Sequence, residues 1–114
     1  MYQLVCELDD ILPNAGVAAL VGDEQVALFR VQLEGKEHVF GISNYDPFSD
    51  ANVISRGIIG TMGDELVVAS PVYKQHFSLQ TGQCFEDETV RLKTWFVSID
   101  GNKVYVYDKK IEVA

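Results

Sequence analysis

The chain carries two cysteines, Cys6 and Cys84, and two histidines, His38 and His76. Two thiolates with two imidazoles are the ligand set of a mixed iron–sulfur centre, and the same donors hold zinc. Either chemistry demands short spacing, and the mixed centre needs one Cys and one His from each of two facing loops, as C-x-H and C-x-x-H. None of the four has such a neighbour. Cys6 falls in the first apolar run, His38 opens another, and His76 and Cys84 are eight apart with Thr81-Gly82 between them. They read as small apolar thiols and ordinary imidazoles. Ser43, Ser49, Ser55, Ser70, Ser78 and Ser98 offer hydroxyls, but none sits in a G-x-S-x-G elbow that would make it a nucleophile. Gly57, Gly60 and Gly63 open no helix, so no phosphate cradle is expected. Glu86-Asp87-Glu88 and Asp9-Asp10 could serve as acid/base groups or a hard-cation site, and without a calcium-loop pattern they read as solvated acidic loops. Arg56 and Lys74 could form an anion path, and read instead as surface cations.

The elements that must position any site are strands. Runs rich in Val, Ile, Phe and Tyr recur, each closed by Gly or Asp/Asn, at Tyr2–Glu7, Val17–Val21, Gln25–Gln32, His38–Ser43, Ile58–Met62, Glu65–Ala69, Gln75–Ser78, Leu92–Ile99 and Lys103–Tyr107. The last two form a hairpin across Asp100-Gly101-Asn102. A helical period is hinted only at Leu8–Leu12, where Pro13 stops it. The expected fold is therefore all-β, a sandwich or small barrel of about nine strands in one domain spanning residues 1–114. The longest stretch without strand character is Asn44–Gly57, and a loop of that length in so small a domain points to function. It and Ser70-Pro71-Val72-Tyr73-Lys74 each combine aromatics with a proline after an apolar strand. An aromatic there either tucks back into the core or is held out for a partner.

Composition narrows the partners. The chain has 114 residues, with nine Lys+Arg against seventeen Asp+Glu for a formal net charge of −8. Nucleic acid, which needs a dense positive face, is not expected. No apolar run reaches the roughly 18–20 residues of a membrane-spanning helix. No basic residue precedes Arg30, so no secretory n-region is expected. Two distant cysteines make no disulfide framework, which suits a reducing cytoplasm.

The two aromatic loops carry a family resemblance. Ser70-Pro71-Val72-Tyr73-Lys74-Gln75-His76-Phe77-Ser78-Leu79-Gln80-Thr81-Gly82 resembles the second cluster loop of Rieske domains, approximately C-P-x-H-G-x-x-F-D-L-x-T-G. Phe40-Gly41-Ile42-Ser43-Asn44-Tyr45-Asp46 resembles the strand and first loop, A-I-x-x-x-C-x-H. At the four ligand positions stand Asn44, Asp46, Ser70 and Tyr73. With the stretches Leu8–Pro13, Gly22–Arg30, Ile42–Phe48, Ser55–Ile59 and Val67–Pro71, the chain is similar nearly throughout to the small subunits of cytoplasmic NAD(P)H-dependent assimilatory nitrite reductases. The resemblance implies a Rieske-type β-sandwich with a degenerate cluster-binding subdomain, its loops at about 44–48 and 70–76. It implies no catalytic, metal or cofactor site on this chain, the FAD, the iron–sulfur centre and the sirohaem being on a large subunit. The chain would be the accessory partner of that subunit, docking through Tyr45, Phe48, Pro71, Val72 and Tyr73. A Rieske-like ferredoxin feeding an oxygenase is the alternative, and would need at least three of the four ligands. Self-association is left open by the sequence.

Overall fold

The run Val26-Ala27-Leu28-Phe29 is fully buried on both faces, and this sets the architecture. A strand's successive side chains point to opposite sides, so burying all of them requires a layer above and a layer below. A computed structural model describes residues 1–108 of the chain, so the expected domain's last six residues lie outside the described part. In chain order the strands are β1 Tyr2–Glu7, β2 Gly16–Val21, β3 Glu24–Leu33, β4 Lys36–Ser43, β5 Tyr45–Asp46, β6 Ala51–Asn52, β7 Ile58–Met62, β8 Glu65–Ala69, β9 His76–Ser78, β10 Thr94–Trp95, β11 Val97–Asp100 and β12 Lys103–Tyr107. Short 3-10 turns lie at Leu8–Asp10 and Ile54–Arg56.

The central sheet runs β10-β4-β3-β2 and is antiparallel throughout. Val26 and Leu28 point to one side, where they meet Leu8, Ile11, Val21, Val39, Val104 and Val106 beneath the sheet β1-β12-β11. Ala27, Phe29 and Val31 point to the other, where they meet Ile42, Ile54, Val68, Phe77, Leu79, Cys84 and Leu92 against the sheet β7-β8-β9. Alternation within one strand thus feeds two cores, the all-β sandwich read from the sequence. Arg30 leaves this pattern: its guanidinium grips both carboxylate oxygens of Glu37, at 3.0 and 3.1 Å, and donates to the Ile11 carbonyl at 2.9 Å. That bond ties the Leu8–Asp10 turn to β3.

Two expectations are corrected. The single strand expected at Leu92–Ile99 is two, because the chain changes sheets at Phe96: Trp95 pairs with Gly41 of β4, whereas Val97 pairs with Val106 of β12. Both partners are apolar, so no compositional break marks the switch. The stretch Asn44–Gly57, expected to lack strands, contains the β5–β6 ribbon and the second 3-10 turn. The weak helical signal at Leu8–Leu12 becomes three residues of 3-10 helix, closed by the Glu7/Asp10 capping box. Gly82 is required by its surroundings, since a Cβ there would lie 1.9 Å from the Leu92 carbonyl oxygen, and its φ is +80°.

Candidate functional site

The two loops singled out in the sequence lie together beyond β4 and β8. Asn44 follows β4 directly and is buried, although its amide is polar. It is buried because it is fully engaged. Its Nδ2 donates to Gln25 Oε1 at 3.0 Å and to the Asn52 carbonyl at 3.3 Å, and its Oδ1 accepts the Ser55 N–H at 2.7 Å. Its main chain bonds Gln25 on one side and Ile54 on the other. Asn44 therefore pins the start of the first loop, the end of its ribbon and the following 3-10 turn to β3.

Asp46, on β5, has no solvent exposure at all. One carboxylate oxygen accepts the Phe48 N–H at 2.9 Å. The other accepts the hydroxyl of Ser70, itself fully buried, from the second loop. A carboxylate in an apolar setting needs such donors, and here the two loops supply one each. The second loop is a tight link between β8 and β9, closed by Ser70 N–H to the Gln75 carbonyl at 2.9 Å and Lys74 N–H to the Ser70 carbonyl at 3.2 Å. Closing it places Lys74 at φ +67°, where the cluster-loop motif has glycine.

Around this buried clasp the side chains diverge. Tyr45, Val72 and Tyr73 are exposed, and Pro71 is half-buried. Phe48 turns inward: it is half-buried against the core, with its ring 6.2 Å from that of Phe77. Tyr45 bonds through its phenol to Asp50, and that hydrogen bond, with some burial, pushes the phenol's pKa up. Gln25, Asp50, Asn52 and Ser55 support the site, and the sequence does not join them to it, because their partners are met only through folding.

The acidic run is partly structural. Glu86 accepts the His76 N–H at 2.7 Å and contacts the His76 ring nitrogen at 2.6 Å. Burial pulls its pKa upward, yet the His76 main-chain and ring contacts hold the carboxyl below its usual value. Cys84 is buried, and desolvation raises its thiol pKa, as does the weaker Glu86 contact at 3.7 Å. Among the described residues, no three His, Cys, Asp or Glu side chains group so as to hold a metal ion, and no helix is long and apolar enough to cross a membrane.

The fold and the paired loops define a class. The model of the Rieske-like [2Fe-2S] domain family matches residues 1–107, and the chain belongs to that family. Within it the chain groups with nitrite reductase small subunits. It is 53% identical over 89 residues to the nitrite reductase (NADH) small subunit of Escherichia coli K12, covering 78% of this chain and 81% of the relative. The solution structure of the E. coli protein NirD superposes with a TM-score of 0.81 at 46% identity, over 93% of this chain and 96% of that one. The nitrite reductase [NAD(P)H] large subunit of Klebsiella oxytoca contains a region 36% identical over 110 residues, 96% of this chain but 11% of that one. The ferredoxin of carbazole 1,9a-dioxygenase from Nocardioides aromaticivorans shares the fold at a TM-score of 0.74, with 21% identity.

The family name raises the question of a cluster, and the donors here do not fit one. A [2Fe–2S] centre of this type is gripped by two thiolates and two imidazoles. At the positions that the sequence resemblance sets against those ligands, Asn44, Asp46, Ser70 and Tyr73, stand an amide, a carboxylate, a hydroxyl and a phenol. The Asn44 amide is spent on three protein partners, and Asp46 and Ser70 hydrogen-bond one another directly.

Proposed function

We infer that this chain is the accessory small subunit of an NAD(P)H-dependent nitrite reductase, working in the reduction of nitrite to ammonium as the docked partner of a large subunit. On this reading residues 1–114 are a single cytoplasmic domain and the chain carries no cofactor. The FAD, the iron–sulfur centre and the sirohaem belong to the large subunit. The observation that carries the reading is the buried Asp46–Ser70 bond together with the saturated Asn44 amide. The loops keep the shape of a cluster tip with side chains that hold each other instead of metal. The Klebsiella large subunit supports the pairing, since a domain like this one is covalently part of that chain.

The docking surface we propose is the loop tip, with Tyr45, Val72 and Tyr73 as the exposed anchors and Pro71 and the outer side of Phe48 completing it. A rigid clasp beneath exposed aromatics suits a binding surface, because little side-chain or loop order remains to be lost on association. The net charge of −8 favours a positive patch on the partner and an association rate that falls with salt. The test is co-purification of a Tyr45→Ala/Tyr73→Ala variant with the large subunit. Retention should drop while the thermal unfolding of the variant stays close to that of the wild type, and unchanged retention rejects the tip as the docking surface. Iron and acid-labile sulfide assays on the purified chain test the cofactor reading, and stoichiometric sulfide rejects it.

A further inference from the structure

The sheet β7-β8-β9 has two edges, and they are treated differently. Beyond β9 the edge is sealed by residues 83–85: Ser78 N–H bonds the Gln83 carbonyl at 2.9 Å, and Phe85 N–H bonds the His76 carbonyl at 2.9 Å. Beyond β7 no strand of the described residues follows. The alternation of main-chain groups shows what is left there. Leu66 and Ser70 of the β8 segment direct their groups toward β9, the Leu66 carbonyl accepting Leu79 N–H at 3.1 Å and Ser70 N–H donating to Gln75 at 2.9 Å. Glu65, Val67 and Ala69 therefore bond β7, at Met62, Gly60 and Ile58. The N–H and carbonyl groups of Ile59 and Thr61 are left pointing outward.

An open edge of this kind is normally blunted by a charge, a proline or a bulge. Ile58-Ile59-Gly60-Thr61-Met62 has none of these, and Ile58 is 73% exposed. The segment is also complementary to itself. A two-fold axis at Gly60 pairs each residue with the one equally far on the other side. Ile59 then meets Thr61 of the second copy, and both carry outward main-chain groups, so two reciprocal hydrogen-bonded pairs form. Ile58 meets Met62, apolar against apolar. Gly60 meets Gly60 as a non-hydrogen-bonded pair, where backbones approach to about 4.5 Å. Arg56 ends the 3-10 turn before β7 and Asp64 lies in the turn after it, so the two-fold axis sets opposite charges on the same side at both ends of the paired strands. A one-residue slip in register would lose these matches together.

We propose that β7 is an interface between two copies of this chain, joined edge to edge by antiparallel pairing about a two-fold axis at Gly60. The proposal is independent of the loop-tip docking reading.

The experiment is sedimentation velocity on the full chain from low micromolar to near-millimolar concentration, with four variants. The wild type should show a species of twice the 12.7 kDa chain mass, growing with concentration. Gly60→Lys has open space for its side chain in the single copy, with no atom within 4 Å of a Cβ there, but sets two like charges together at the axis. It should weaken the dimer about tenfold or more. Thr61→Pro removes an outward N–H without touching the β7–β8 bonds and should do the same. Arg56→Glu alone should weaken the dimer about two- to fivefold, and adding Asp64→Arg should restore it. A wild type that is monomeric throughout overturns the proposal, as does a dimer indifferent to both Gly60→Lys and Thr61→Pro. If the chain stays monomeric while Gly60→Lys loses the large subunit, the edge serves that partner and the self-pairing is wrong.

Discussion

The Asp46–Ser70 bond is the feature on which the reading of the loops turns, and a double-mutant cycle measures it. Ser70→Ala leaves the Asp46 carboxylate, which has no solvent exposure, with the Phe48 N–H at 2.9 Å as its remaining donor. A hydrogen bond to a charged group contributes about 1.5–3 kcal/mol, and burial prevents water from replacing the lost hydroxyl. For a domain of this size each kcal/mol is roughly 4 °C, so the melting temperature should fall by roughly 6–12 °C. Asp46→Ala takes the acceptor from both the Ser70 O–H and the Phe48 N–H, leaving the Ser70 oxygen only the Val72 N–H at 3.4 Å, and should cost at least as much. The double variant should be less destabilised than the sum by about 1.5–3 kcal/mol, the coupling between the two side chains. Urea unfolding followed by the fluorescence of the single tryptophan, Trp95, gives all four stabilities. A coupling below about 0.5 kcal/mol would refute the argument, since it would mean that the main chain alone holds the loops together.

Lys74→Gly should stabilise the chain by about 1 kcal/mol in the same assay, because Lys74 holds φ at +67°, a region glycine enters without the Cβ penalty; a loss of stability would show that the lysine side chain has a role in the loop. The Glu86 carboxyl is held below its usual value by His76, so its contribution is complete above the unfolded-state value near 4.5 and is lost as the pH falls through the lower folded value. Wild-type stability should therefore decline more steeply than that of Glu86→Gln as the pH falls below the unfolded-state value, and parallel declines would assign the acid sensitivity elsewhere.

Much of this protein was legible in the chain itself. Alternation and turn residues placed the strands and the tight hairpins, because both are local: a period of two and a Gly-Asn turn act within a few residues. The two loops were found the same way, and the resemblance to a cluster-binding motif rests on the residues around Asn44, Asp46, Ser70 and Tyr73. Residue types alone removed thiolate and imidazole from those positions.

Tertiary structure decided how the loops are held. Asn44 is saturated by Gln25, nineteen residues away, and Asp46 is satisfied by Ser70, twenty-four away, and neither distance leaves a trace in local sequence. The change of sheet at Phe96 was hidden because both destinations ask for the same apolar strand. Whether an aromatic faced in or out was also undecidable locally, and folding sent Phe48 onto Phe77 while leaving Tyr45 in solvent. The open edge of β7 exists because no strand among the described residues covers it. Patterns with a short period are written into neighbouring residues, whereas the partner of a buried polar group or a strand edge is set by which distant segments the chain brings together.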